Sequence, residues 1–299
     1  MKNLIIIGGP TAVGKTDLAV WLAKKLDTEI ISADSRQIYK EMFIGTARPT
    51  QEEMQGIPHH FIGVKSVTQY YNASMYEQEV MQVIEKLFRK YDSLIVVGGS
   101  GLYIEAIIRG IDDIPTVLPE IRNKLAQWYA REGLEKLRDL VKRLDKAYYN
   151  RADINNPMRL LKALEVSIQT ARPYSSFLQG QNKKRPFNII LIGLDRPRAE
   201  LYDRINRRVE KMVEQGLIKE AEKLIPYKNY TALKTVGYRE IFDYLDGKLS
   251  LSQAIDLIQR NTRKYARRQL SWFRRYKDIH WFNPDEKDKI WQFIIEKIS

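Results

Sequence analysis

Apolar residues first gather as the unbroken run Leu4-Ile5-Ile6-Ile7. A short β-branched run without polar alternation predicts a strand buried on both faces. Leu18, Val20, Trp21, Leu22 and Leu26 then supply the apolar side of a helix. Ile30-Ile31 predicts a second strand, and Met75, Val80, Val83, Ile84 and Leu87 mark a helix within 75–90. Leu94-Ile95-Val96-Val97 is a third strand running into Gly98-Gly99-Ser100-Gly101, and Phe187–Leu194 is another. Buried strands alternating with helices predict an α/β fold with a parallel sheet flanked by helices. From Ile114 the pattern changes. Pro115 and Pro119 punctuate a boundary, a polar helical stretch covers Glu120–Lys146, Asn155-Asn156-Pro157 breaks it, and Leu160–Thr170 resumes a helix. After the polar connector Gln179–Pro186 the core pattern returns. The expected organisation is a core of residues 1–113 and 187–299, with a helical and basic C-terminal part, and an inserted helical lobe at 114–186.

The turn between the first strand and first helix reads Gly9-Pro10-Thr11-Ala12-Val13-Gly14-Lys15-Thr16, a G-x-x-x-x-G-K-T phosphate loop (P-loop) of the ATP-binding type. Strand, glycine loop and helix place backbone N–H groups and a helix N-terminus against linked phosphates. Lys15 is expected to reach the terminal phosphate pair and the Thr16 hydroxyl to ligate Mg2+. Asp34 falls just past the second strand, at the carboxyl edge where open α/β sheets bind ligands. That makes it a candidate general base, with a turn-capping role the alternative. A phosphoanhydride hydrolase of this class carries an acidic residue at the end of a strand like 93–97, whereas Gly98 and Gly99 stand here. Those glycines predict close approach of a large ligand.

Arg204, Arg207 and Arg208 fall at helical i, i+3 and i+4, which suits a diphosphate or a nucleic-acid backbone. Arg260, Arg263, Lys264, Arg267 and Arg268 are followed by Trp272, Phe273, Arg274, Arg275 and Tyr276. Cations interleaved with aromatics favour phosphate contact plus base stacking. The net charge of +13 agrees with a polyanionic partner. With no cysteine, disulfides and thiolate metal sites are excluded, and His59-His60 has only His280 to join it, too few ligands for a metal centre. Hydrophobic residues make up 44% of 299, enough for a sizeable core, and no run is long enough to span a bilayer. A cytoplasmic protein without membrane association, acting as a monomer, is the expectation.

Several segments together resemble the tRNA dimethylallyltransferases (tRNA isopentenyltransferases) of bacterial type: GPTAVGKT at Gly9–Thr16, ISADSRQIY at Ile31–Tyr39, IGTARP at Ile44–Pro49, PHHF at Pro58–Phe61, VGGSGLY at Val97–Tyr103, NPMRLLKALEV at Asn156–Val166, LDRPRAELYDRINRRVEKM at Leu194–Met212, VGYREI at Val236–Ile241 and YARRQLSWFR at Tyr265–Arg274. The resemblance runs through nearly the whole chain in order. It implies transfer of a dimethylallyl group from dimethylallyl diphosphate to the exocyclic N6 of an adenine beside the tRNA anticodon. Gly9–Thr16 would then cradle a diphosphate leaving group, with Lys15, Thr16-bound Mg2+ and the Arg204/Arg207 face neutralising its charge, and Asp34 would take the N6 proton. The resemblance also assigns tRNA contacts to Asp34, Ser35, Arg36, Gln37 and Ser100, and to Arg122, Met158, Arg159, Leu160, Leu161 and Lys162 of the lobe. Arg263, Arg267 and Arg268 of the basic helix would meet the same anticodon stem-loop. Ser100 stands where the family more often has Thr, and the zinc-binding extension of some eukaryotic members is missing. A P-loop nucleoside or small-molecule kinase and a non-catalytic RNA-binding module are the competing readings.

Overall fold

Leu4–Ile7 lies at the centre of a sheet and is wholly buried, because both faces of the sheet are covered. The computed structural model describes residues 2–180 and 182–298. The larger of its two compact units takes the chain up to Ile108 and from Arg185 onward, and the smaller is Arg109–Lys184. The larger unit opens with β1 (Asn3–Gly8), α1 (Lys15–Leu26), β2 (Ile30–Ser32), α2 (Gln51–Met54), β3 (His59–His60), α3 (Ala73–Phe88), β4 (Ser93–Val97) and α4 (Gly101–Ile108). The smaller unit holds α5 (Pro119–Leu144), α6 (Lys146–Arg151) and α7 (Pro157–Thr170). The chain completes the larger unit with β5 (Asn188–Leu194), α8 (Arg198–Glu214), α9 (Leu217–Leu224), α10 (Tyr238–Leu245), α11 (Leu251–Phe273), β6 (His280–Phe282) and α12 (Lys287–Ile298).

The strand order is β3-β2-β4-β1-β5-β6, parallel throughout, with Ile5 in register with Ile95 on one side and Ile190 on the other. Leu18, Leu22 and Ala23 of α1 pack on Ile5 and Ile7, and Ile290 and Ile294 of α12 belong to the same cluster. Each aliphatic side chain buried there contributes about 1.5–3 kcal/mol. The phosphate loop thus leaves the central strand at its carboxyl end, and β2 delivers Asp34 two strands away at the same edge. The edge strands β3 and β6 are short and partly exposed, so no apolar run marks them.

The smaller unit has its own core, built on Leu125, Leu137, Val141, Leu160, Leu161 and Leu164. Asn156 caps α7 through the Arg159 N–H, with Pro157 in the first turn. The unit begins at Arg109 and ends at Lys184, where composition places the change at 114 and 186. The connecting segments explain the difference, since they bond to each other: the Lys183 N–H donates to the Arg109 carbonyl at 2.8 Å, and Asp112 accepts from the Gln179 and Gly180 amides.

Arg185, the first residue back in the larger unit, is buried against Glu77 (2.9 Å) and donates to the carbonyls of Ile107 (2.8 Å) and Ala106 (2.6 Å). Replacing Arg185 takes a charge-assisted partner from Glu77 and the side-chain donors from two carbonyls. Arg185→Met is therefore expected to lower stability by about 1–3 kcal/mol, read as a shifted urea midpoint. A midpoint equal to wild type would show that water already solvates the pair.

Candidate functional site

The loop Gly9–Thr16 wraps from β1 into α1, with Gly14 as the helix N-cap at φ 112°, a left-handed conformation that favours glycine. Ala12 also has positive φ (65°), a cost that a non-glycine residue bears where the surroundings fix the loop. Three guanidinium groups hold consecutive loop residues from outside. Arg208 donates to the Thr11 hydroxyl (3.3 Å), Arg204 to the Ala12 carbonyl (2.8 Å) and Arg196 to the Val13 carbonyl (2.9 Å). Arg196 is neutralised by Asp285 and Glu200. The Lys15 ammonium folds back over the loop onto the carbonyls of Pro10 (2.7 Å) and Gly9 (3.2 Å). Desolvation, then the neighbouring Arg208 charge, push its pKa down to about 7, against the opposing pull of the Asp34 carboxylate.

The arginine face differs from the expected pair. Arg204 reaches the loop, but Arg207 is three-quarters exposed and pairs with Asp203. At about 100° per residue, Arg208 lies beside the buried stripe Leu201, Ile205 and Val209, while Arg207 turns away from it. Arg208 therefore takes the place beside the loop.

On the acceptor side, Asp34 Oδ1 accepts from the Arg36 N–H (2.8 Å) and the Gln37 N–H (3.2 Å), so Asp34 does cap its own turn. Its charge is also felt at Lys15, Arg208, Tyr103 and Tyr265, which places the carboxylate at the loop. Ser100 Oγ accepts from the Ser35 N–H at 2.8 Å and donates to Ser35 Oγ. Arg36 donates to the Thr231 and Ala232 carbonyls, and Gln37 to those of Thr46 and Ala47. These side chains hold neighbouring loops, and the Phe43–Gly45 amides of that second loop are bound in turn by the Glu220 carboxylate. Tyr265 stands beside Ser100 and Asp34, and burial, first, pushes its hydroxyl up to about 12, so it stays protonated at neutral pH.

Protein, rather than a ligand, comes close to the glycines after β4. A Cβ on Gly98 would lie 2.2 Å from the Ala33 carbonyl oxygen, one on Gly99 2.2 Å from Gln269 Nε2, and one on Gly101 2.3 Å from the Trp272 ring. Gln269 is buried in α11 and joins two parts of the site: its Oε1 accepts the Thr11 N–H (2.9 Å) and its Nε2 donates to the Gly99 carbonyl (2.8 Å).

The opposite side of α11 forms an open groove of about 630 Å3 lined by Lys264, Arg267, Arg268, Ser271, Trp272 and Arg275. Arg275 stacks on Trp272, 3.7 Å from the ring centre. Arg263 is not part of it and donates to Asn206 of α8 at 2.6 Å. In the smaller unit Met158 is 71% exposed and Arg159 is exposed, whereas Leu160 and Leu161 are core residues whose side chains cannot meet a ligand. Arg122 pairs with the buried Glu165. His59 and His60 point apart, to the Ile57 carbonyl and to Glu29. Among the described residues no group of three or more His, Asp or Glu could hold a metal ion. A cation at the loop would depend on the Thr16 hydroxyl together with oxygens of its ligand.

Sequence reasoning passed over Arg196, Tyr265 and Gln269. Only Gln269 carried a usable signal: it is a polar residue in the buried stripe Ala254, Ile258, Ala266, Phe273.

The family model described as IPP transferase matches residues 37–276. The chain belongs to this family. It is 48% identical over 298 residues to "tRNA dimethylallyltransferase 1" of Bacteroides fragilis, covering 100% of this chain and 99% of that one. It is 46% identical to "tRNA dimethylallyltransferase" of Cytophaga hutchinsonii, covering 100% and 98%. Among solved structures, the full-length tRNA isopentenylpyrophosphate transferase of Bacillus halodurans matches with TM-score 0.73 and 38% identity, covering 100% of this chain and 97% of that one. A eukaryotic dimethylallyltransferase solved acting on tRNA matches with TM-score 0.79 and 26% identity over 95% of this chain and 74% of that one. In this IPP transferase the phosphate loop, the Asp34 turn and the cationic helix α11 all belong to the larger unit.

Proposed function

We propose that this chain transfers the dimethylallyl group of dimethylallyl diphosphate to the exocyclic N6 of an adenine next to the anticodon of tRNA, releasing diphosphate. The observation carrying this reading is an intact phosphate loop facing a β4 end that offers glycines where a hydrolase has a carboxylate. Such a cradle binds a leaving diphosphate without directing water at it. The full-length likeness to tRNA dimethylallyltransferases supplies the acceptor.

Loop amides between Ala12 and Thr16, with Lys15, Arg204 and Arg208, hold the diphosphate and take up the charge that grows as the allylic C–O bond breaks. The Thr16 hydroxyl suits Mg2+, which when bound adds positive charge to the same oxygens. Asp34 accepts a hydrogen bond from the adenine amine and receives its proton as nitrogen attacks carbon. An amine conjugated into a purine is a poor nucleophile, so orientation contributes heavily. The adenine leaves its stack to enter. Arg267, Arg268 and the Lys264–Arg275 groove meet the RNA backbone, as do Arg159, Lys162 and Met158 of the smaller unit. We assign the activity to the cytoplasm, where tRNA is available, and to a monomer, since the phosphate loop, Asp34 and α11 all lie in one unit.

The test is incubation with dimethylallyl diphosphate, Mg2+ and unmodified tRNA, followed by nucleoside mass spectrometry. A gain of one C5H8 on adenosine that depends on both substrates supports the reading, and no gain overturns it. ATP-dependent phosphoryl transfer to a nucleoside would instead identify a kinase. Within the same assay, Arg208→Ala is expected to raise the KM for dimethylallyl diphosphate by about 10–100-fold, the worth of a charge-assisted contact, and Arg207→Ala to leave it unchanged. The reverse order would return the role to Arg207.

A further inference from the structure

Gln269 sits between two halves of the site that the chain builds separately. The donor half is the phosphate loop after β1. The acceptor half is the turn Gly99-Ser100 packed on Ala33-Asp34-Ser35: the Ser100 N–H donates to the Ala33 carbonyl (3.2 Å), and Ser100 Oγ accepts the Ser35 N–H. The side-chain amide of Gln269 spans them, with one end on the Thr11 N–H and the other on the Gly99 carbonyl. Gln269 is 5% exposed, and the missing Cβ of Gly99 makes its room. The bridge also takes the Thr11 amide out of the set of donors available to a phosphate. Gln269 lies on the inner side of α11, whose outer side carries Arg267 and Arg268.

We infer that Gln269 is a positioning residue for prenyl transfer: it sets the separation of the phosphate loop from the Asp34–Ser100 turn, and so the alignment of the allylic carbon with the adenine nitrogen. This rests on the transfer reading above. Glutamine suits the task because the task needs both an acceptor for an N–H and a donor for a carbonyl, side by side at the end of one side chain. Glutamate keeps the first and loses the second, setting a carboxylate oxygen against the Gly99 oxygen. Methionine keeps the volume and loses both.

When the two halves fall out of register, the C–O bond still breaks over an intact cradle, but the carbon is no longer held against N6. Water then captures it: the water oxygen bonds to the allylic carbon, diphosphate departs with the C–O electron pair, and a water proton is released. The products are dimethylallyl alcohol and diphosphate in place of modified tRNA. A misplacement on the ångström scale costs about 100-fold in a positioned reaction.

The experiment compares wild type, Gln269→Met and Gln269→Glu in single-turnover transfer with pre-bound tRNA. Kd values for tRNA and for Mg2+-diphosphate, thermal midpoints and the ratio of dimethylallyl alcohol to prenylated adenosine are measured in parallel. The expected result for Gln269→Met is a transfer rate lower by about 10–100-fold, with a lower midpoint from the two backbone groups left unpaired, both Kd values at wild-type level and the alcohol ratio raised. Gln269→Glu should show the larger loss. Unchanged transfer in Gln269→Met overturns the inference. So does a loss in which both affinities and the midpoint fall together with an unchanged alcohol ratio, since that is what a purely structural side chain would give. Wild-type enzyme that transfers no prenyl group would instead defeat the functional reading itself.

Discussion

Asp34→Asn is expected to lower single-turnover prenyl transfer by about 10²–10⁴-fold, the usual contribution of a positioned general base, with tRNA affinity at the wild-type level. The choice of asparagine follows from the geometry. Asp34 Oδ1 holds the Arg36 and Gln37 amides, and an asparagine oxygen can hold them too, so the turn survives while the base is lost. Asp34→Ala removes both functions and should add a defect in tRNA affinity, because Arg36 and Gln37 anchor the loops at 231–232 and 46–47. The pair of variants separates the two roles. Wild-type transfer in Asp34→Asn beside a crippled Asp34→Ala would show that Asp34 only caps its turn.

Lys15 gives the second large effect. In the ligand-free site its pKa is pushed down to about 7, first by desolvation and then by Arg208. A diphosphate brought against it favours the ammonium, so binding at pH 8 should take up close to one proton. At that pH about 90% of Lys15 is neutral before binding. Calorimetric titration of Mg2+-diphosphate in two buffers of different ionisation enthalpy measures the uptake directly. Affinity should fall as pH rises through about 7 and beyond, and Lys15→Met should bind at least 10-fold more weakly with no such uptake. A pH-independent affinity with zero proton uptake would mean that Lys15 is already charged in the empty loop. The same depression acts on folding with the opposite sense. The native chain binds fewer protons than the unfolded one between about 7 and the ordinary lysine value of 10.5, so this group's contribution makes stability rise with pH across that window.

The two effects meet at the same few residues. Arg208 lowers the Lys15 pKa, so Arg208→Ala should move the onset of proton uptake to higher pH as well as weaken diphosphate binding.

Much was legible in the order of residues because its causes are local. An all-apolar run such as Leu4–Ile7 can only be a strand covered on both faces, and a glycine loop entering a helix after it presents amides to phosphate whatever surrounds it. Asp34 could be placed at the right edge because strand ends in a parallel sheet share one side. The expectation that the glycines after Val97 receive a ligand was local reasoning as well, and tertiary packing decided otherwise: Ala33, Gln269 and Trp272 approach them. Helical spacing put Arg204, Arg207 and Arg208 on one face, but which of the last two turns inward depends on where Leu201, Ile205 and Val209 find their partners. Leu160 and Leu161 followed a motif toward RNA, whereas their burial is set by packing against α5, a separate helix. Gln269 is the clearest case. Its two hydrogen bonds join residues 258 and 170 positions away, and no window along the chain can contain both. The sequence by itself determined the strands, the phosphate loop and the carboxylate beside it, because backbone geometry and burial are decided over a few neighbouring residues. Only the tertiary structure decided which arginine faces the loop and which side chain ties its two halves together, because those choices depend on where distant helices come to rest.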